Sequence, residues 1–245
     1  MAELADADSE RRLAITLPAS LAENWLTHRI ADFYQSRSSV DLRLDATNRM
    51  VDLLTEDFDF ALRYSLPSDD MFEEIELFGD HVLPLCSPDF ARRYEISSRL
   101  RSLKDIPLVH LDDRTPDPEW ADWATWGDAF GFEPGPQRHG VHYTQVASGI
   151  EAAKAGQGLV LCGITEAFIS LHRGHLIMPF GPGMRCHTGY NYRLVWRKDR
   201  ELSELQEDFK RWLTKQAEAF SASVDEWFCS GETSEQTDTD RDVSR

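Results

Sequence analysis

Between residues 12 and 220 the apolar positions switch repeatedly between a period of two and a period near 3.6, which predicts strands alternating with helices. Leu13, Ile15 and Leu17 alternate as a short strand. Pro18 and Ala19 turn into Ser20-Leu21-Ala22-Glu23, where Ser at an N-cap and Glu three residues on read as a capping box. Leu21, Trp25, Leu26, Ile30 and Phe33 then give a helix one apolar face. Val40, Leu42, Leu44 and Ala46 predict a second strand. Thr47 opens a loop into a helix carrying Met50, Val51, Leu53 and Leu54, and Phe58, Phe60 and Leu62 predict a third strand ending at Arg63-Tyr64.

The alternation continues. Strands are predicted at His81–Cys86, Leu108–Leu111, Val141–Tyr143, Gly158–Ile164 and Leu176–Phe180, with a late strand through Tyr190, Tyr192, Leu194 and Trp196. Helices are predicted after Ser87-Pro88, over Trp120–Phe130 up to Gly131, over Gln145–Ala155 up to Gly156, over Thr165–His172 and over Leu202–Phe220. Such a succession indicates an α/β fold with a mostly parallel sheet. Ligands of such sheets sit outside the carboxyl ends of the strands, and here that edge collects Ala19, Ser20, Thr47, Arg63 and Tyr64.

Charge narrows the function. Against 43 Asp and Glu stand 26 Lys and Arg, a formal net charge of -17. A chain this acidic lacks the cations that drive binding to nucleic-acid phosphates or anionic membranes. Residues 1–12 form an acidic N-terminal segment without the apolar stretch of a signal peptide. Residues 221–245 read as a disordered acidic tail. Four Cys without CxxC spacing suit reduced thiols in a cytoplasmic protein.

Motifs for catalysis are missing: no nucleophile elbow, P-loop, zinc-protease helix or dinucleotide fingerprint is present, so no catalytic residue and no cofactor is assigned. Gly156-Gln157-Gly158 follows a helix and reads as its C-cap before it reads as a phosphate loop. His139/His142 and His172/His175 are HxxH pairs, and Cys186-His187 are adjacent donors. Residues three apart on a strand point to opposite faces, and Gly174 breaks the second pair's helix, so ordinary surface histidines outweigh a metal site. Asp57 and Asp59 share a strand face without an identifiable acid–base partner, and Trp120, Trp123 and Trp126 read as core anchors. The best polar constellation is therefore a binding site. Ser20 either caps its helix or lends its helix N-terminus to an anionic group, and both can hold together. Arg63 either grips a ligand carboxylate or pairs with one of the many acids. Thr144-Gln145 opens a later helix, as a plain N-cap or as a second binding edge.

Several ordered segments resemble one family. They are Leu17-Pro18-Ala19-Ser20-Leu21-Ala22-Glu23-Asn24-Trp25-Leu26, Phe58-Asp59-Phe60-Ala61-Leu62-Arg63-Tyr64 and Leu83-Pro84-Leu85-Cys86-Ser87-Pro88. Glu151-Ala152-Ala153-Lys154-Ala155-Gly156-Gln157-Gly158, Gly174-His175-Leu176-Ile177-Met178-Pro179-Phe180, Tyr192-Arg193-Leu194-Val195 and Phe209-Lys210-Arg211-Trp212-Leu213 complete the series. In order and spacing, Arg12 to Phe220 resembles the effector-binding domain of LysR-type transcriptional regulators, in particular the glycine-cleavage-activator branch.

The resemblance implies a two-lobed, type II periplasmic-binding-protein-like fold with two crossover hinge strands, near Leu83–Cys86 and His187–Tyr190. Lobe I would be residues 13–84 and 188–220, and lobe II residues 85–187. It implies a non-enzymatic sensor whose small polar metabolite, an amino acid or other carboxylate, binds between lobes and rearranges a homodimer or tetramer. By position, effector contacts would fall on Ala19, Ser20, Thr47, Arg63, Tyr64 and Tyr192 of the first lobe and on Thr144, Gln145 and Gly163 of the second. Branch members often carry hydroxyl residues just after the position of Gln145, where Val146 and Ala147 stand here. DNA would be contacted only through a winged helix-turn-helix domain absent from this chain. Two other readings are an interaction protein that pairs with a full-length regulator and a solute-binding protein.

Overall fold

Leu13, Ala14, Ile15 and Leu17 are all buried, so the first strand, β1 (Arg12–Leu17), is covered on both faces, as a central parallel strand must be. The computed structural model describes residues 11–37, 40–112, 115–133 and 140–242, with side chains to residue 229. The chain divides into two compact units, Met1–Gly79 with Tyr190–Ser221 and Asp80–Gly189 with Ala222–Arg245.

In unit 1, β1 pairs in parallel with β2 (Asp41–Ala46) on one side and β3 (Phe60–Ser65) on the other. β3 pairs antiparallel with β8 (Cys186–Arg197), so the strand order is β2-β1-β3-β8. Leu17 stands opposite Ala46, and Ile15 opposite Phe60, so the segments following β1 and β2 and the end of β3 share one sheet edge. A short helix α1 (Ala19–Leu21) runs into a π-helical turn (Ala22–Leu26), followed by α2 (Ile30–Ser36). The wider π turn lets Leu21, Ala22, Trp25 and Leu26 all be buried. The last helix, α7 (Glu204–Asp242), lays Leu205, Phe209 and Leu213 on the sheet, with Phe209 5.3 Å from Phe33 and 5.6 Å from Phe60 between ring centres.

In unit 2, β4 (Phe72–Leu85) pairs antiparallel with β7 (Leu159–Gly163), which pairs in parallel with β5 (Leu108–Leu111), and β5 with β6 (Gly140–Tyr143). Among the described residues four helices lie wholly in this unit: α3 (Pro88–Arg93), α4 (Trp123–Phe130), α5 (Val146–Lys154) and α6 (Ile164–His172). Ser87 caps α3 by accepting from the Phe90 amide, and Gly131 ends α4 in the left-handed conformation at φ 69°. Trp126 is fully buried among Phe130, Phe132 and Phe180, and its indole nitrogen donates to the Met184 carbonyl at 2.9 Å. β4 and β8 each cross a unit boundary, at Gly79/Asp80 and Gly189/Tyr190. The first boundary lies a few residues before the Leu83–Cys86 expected from the sequence, and the second falls inside His187–Tyr190.

Four expectations are corrected. The capping box does not form: α1 starts at Ala19, its N-cap is Pro18 with no side-chain cap, and Ser20 lies inside the turn. Met50–Leu54 is a loop, because local bonds outcompete the helix. Asp52 accepts from the Leu54 amide at 2.9 Å and the Thr55 hydroxyl at 3.0 Å, and Arg49 clamps Glu56 through two bonds at 2.7 and 2.8 Å. Leu176–Phe180 is no strand; it touches the sheet by one bridge, Cys86 to Ile177, before Pro179 removes a ladder donor. The tail expected from residue 221 is helical to Asp242, because Ala217, Phe220, Val224 and Phe228 continue one buried stripe at helical spacing. The acidic segment over residues 1–10 lies outside the described residues.

Candidate functional site

Within unit 1, the expected binding residues gather at the carboxyl edge of β1, β2 and β3. The Ala19 amide at the start of α1 is already taken, donating to Asn48 Oδ1 at 3.2 Å. The Ser20 carbonyl accepts from Asn24 Nδ2 at 3.0 Å, and the half-buried Ser20 hydroxyl makes no capping bond. Thr47 is tied back to β1 through its amide, which donates to the Leu17 carbonyl at 2.9 Å; its hydroxyl accepts from the Arg49 amide. Asn48 was not singled out from the sequence, although its place directly after β2 put it on this edge.

Two arginines lie near this edge among the described residues, and Arg49 is paired with Glu56, which leaves Arg63. It is half-buried near the end of β3, its guanidinium donates to the Val51 carbonyl at 2.5 Å, and no carboxylate pairs with it among the described residues. Burial draws its pKa below the usual arginine value, opposed only by the field of Asp52. Tyr64 and Tyr192 are register partners on β3 and β8 with ring centres 4.9 Å apart. Tyr192 is only 3% exposed and also packs on Phe78 at 5.0 Å, so its ring belongs to the core of unit 1.

Within unit 2, Thr144 and Gln145 are exposed just before α5, and Gln145 holds the N-cap position without a side-chain cap bond. Gly163 ends β7 and opens α6. A Cβ there would stand 2.5 Å from Asp80 Oδ2 and 2.9 Å from Cη2 of Trp120, so only glycine fits without displacing a neighbour. Asp80 is 2% exposed. Its Oδ1 accepts from the His81 amide at 2.8 Å and the Thr165 amide at 3.2 Å, while Oδ2 has no hydrogen-bond partner among the described residues. Burial, reinforced by the nearby Glu166 carboxylate, pushes the Asp80 carboxyl up to about 7. Its signal in the sequence is a single acid between Gly79 and the apolar Val82-Leu83, a pattern that strand periodicity does not distinguish from a surface position.

The remaining motifs resolve into structure. Gly156, at φ 74°, closes the end of α5 with its amide bonded to the Ala153 carbonyl. Asp59 accepts from the Ala14 amide and Gln206 Nε2, both at 2.7 Å, and Asp57 pairs with Arg12 at 2.9 Å. His142 bonds Asp112 and stacks on His110 at 4.4 Å; its partner in the motif, His139, lies outside the described residues. Among the described residues no three His, Cys, Asp or Glu are grouped to hold a metal ion, and no helix is long and apolar enough to cross a membrane.

What unit 1 offers chemically is a guanidinium and two hydroxyl-bearing side chains on one edge, a donor set suited to a carboxylate. Known proteins carry the same framework. A family model described as the LysR substrate binding domain matches residues 6–218. The chain is 30% identical over 207 residues to the HTH-type transcriptional activator AmpR of Rhodobacter capsulatus, covering 84% of this chain and 66% of that protein. It is 25% identical over 207 residues to the glycine cleavage system transcriptional activator of Escherichia coli K12, covering 84% and 65%. It thus spans about two-thirds of the length of these relatives. The effector domain of the transcriptional regulator AmpR of Pseudomonas aeruginosa superposes with a TM-score of 0.68 at 24% identity, over 87% of this chain and 98% of that one. The fold is accordingly the type II periplasmic-binding-protein-like α/β fold of such effector domains. The chain belongs to the LysR substrate-binding-domain family.

Proposed function

We propose that this chain is a cytoplasmic, non-enzymatic sensor that binds a small carboxylate-bearing metabolite, an amino acid or organic acid, and thereby controls transcription. The observation that carries the proposal is Arg63, a half-buried guanidinium at the carboxyl edge of the unit 1 sheet that has no carboxylate partner among the described residues, in a chain with 43 acids. Ser20 and Thr47 join it on unit 1, with Ala19 and Tyr64 shaping the edge. Thr144, Gln145 and Gly163 would supply the contacts of unit 2. Binding would rearrange a homodimer or tetramer, and DNA would be met by a helix-turn-helix domain, not by these acidic units. Relatives named as transcriptional regulators support the regulatory part of this reading.

A thermal-shift screen of amino acids and small organic acids tests it. A ligand at 100 times its Kd stabilises the folded state by about 2.7 kcal/mol. That corresponds to a shift of roughly 5–10 °C for a domain of this size. Arg63→Ala and Thr47→Ala should abolish or sharply reduce the shift. A hit untouched by both substitutions contradicts the assignment.

A further inference from the structure

The continuation of α7 past Ser221 belongs to unit 2 and lies beyond the family match, yet it is packed as tightly as core. Val224 and Phe228 are 6% and 4% exposed. The Phe228 ring stands over His81 of β4 with centres 5.4 Å apart, and the Arg185 guanidinium lies 4.4 Å from the same Phe228 ring. His81 in turn sits 4.6 Å from His187 of β8. One residue before Phe228, Trp227 meets Phe168 of α6 at 6.2 Å. An imidazole pair and an arginine thus lie under an aromatic lid from the end of the chain.

We propose that residues 222–229 are a proton-sensitive latch on unit 2, which closes over His81 while its ring is neutral and is released when that ring is protonated. The groups around the ring set the direction. His187 on β8 and Arg185 before β8 are cationic or can become so. Among the described residues, Asp225 on α7 is the carboxylate whose field acts on it. His172 on α6 stacks on Phe168 at 6.2 Å. Asp80, the preceding residue, turns its carboxyl to Gly163 and Thr165 on the other face of β4. Under the latch, loss of water first, then His187 and Arg185, hold His81 down to about 4, against the usual histidine value of 6.5.

The closed latch therefore disfavours the proton. Its stability is fully present above pH 6.5 and is lost as pH falls from there towards 4. Between pH 7.5 and 4.5 the release equilibrium should rise roughly 50- to 100-fold on this account alone.

The test is NMR of the full chain, following the His81 ring resonances and the Phe228–His81 cross-relaxation from pH 8 to 4.5. The wild type should titrate His81 far below 6.5, with the ring contacts vanishing through the same transition. Phe228→Ala should return the His81 midpoint towards 6.5. His81→Gln should keep residues 222–229 docked at pH 5. A wild-type midpoint near 6.5, a midpoint unmoved by Phe228→Ala, or release of His81→Gln with the wild-type pH profile would each overturn the latch.

Discussion

Arg63 and Arg193 stand opposite each other across β3 and β8, yet they meet opposite fates. Arg193, 7% exposed, holds Glu74 and Glu76 at 2.7 Å each, whereas Arg63 bonds only the Val51 carbonyl among the described residues. One arginine of the pair is consumed by ion pairs within the fold, and the other keeps a guanidinium without a carboxylate partner among the described residues, which is the basis of the role proposed for it. Glu74, drawn below its usual value by Ser68 and Arg193 against the opposing pull of burial, is committed to that structural pair.

Stability should separate the two. Arg193→Ala strands two carboxylates, Glu74 partly buried and Glu76 half exposed, and should cost about 1–2 kcal/mol, below the full penalty of a buried pair because water reaches both acids. Arg63→Ala loses one hydrogen bond to a carbonyl and should cost about 1 kcal/mol or less in the absence of ligand. Urea denaturation of both variants measures the difference.

Gly163 is predicted to be intolerant of any side chain. Its missing Cβ is replaced in space by Asp80 Oδ2, so Gly163→Ala should destabilise by about 1–3 kcal/mol. Shortening the neighbour in the Asp80→Ala background should remove most of that penalty. A double-mutant cycle with an interaction energy near zero would show that the contact is not the cause.

Asp80 gives the fold a pH dependence of definite sign. Its carboxyl is raised to about 7, from 3.8 in an unfolded chain, so the folded state favours its protonated form. That contribution is fully present below about pH 4 and is lost as pH rises through 7. Asp80→Asn mimics the neutral acid and cannot titrate. The stability difference, variant minus wild type, should therefore grow in the variant's favour between pH 4.5 and 7.5 in denaturant melts. A flat difference would contradict the assignment.

Much of this was legible in the sequence. The alternating strand Leu13–Leu17 and the short strand Leu108–Leu111 lie where the pattern put them, and the helix expected over Trp120–Phe130 ends as expected before Gly131 but begins at Trp123. The failures have physical causes. Around Met50–Leu54 the apolar spacing suits a helix, but Val51 and Leu53 are buried from a loop held by Asp52 and the Arg49–Glu56 clamp, contacts that spacing does not encode. At Ser20 the capping box lost to a start two residues earlier, with Asn48 supplying the acceptor from another segment. Beyond Phe220 the acidic composition hid Val224 and Phe228, whose four-residue spacing continues the helix stripe. The unit 1 edge was readable because strand ends are set by local pattern. Asp80 behind Gly163 was not, because the two are 83 positions apart in sequence.

The most direct measurement is isothermal titration of the screened carboxylate into the wild type and into Arg63→Ala. Loss of a charge-assisted pairing worth 1.5–3 kcal/mol should weaken binding by about ten- to a hundredfold. The methyl ester of the same ligand should bind the wild type as weakly as the acid binds the variant. Equal affinity of the acid for both proteins would contradict the role given to Arg63.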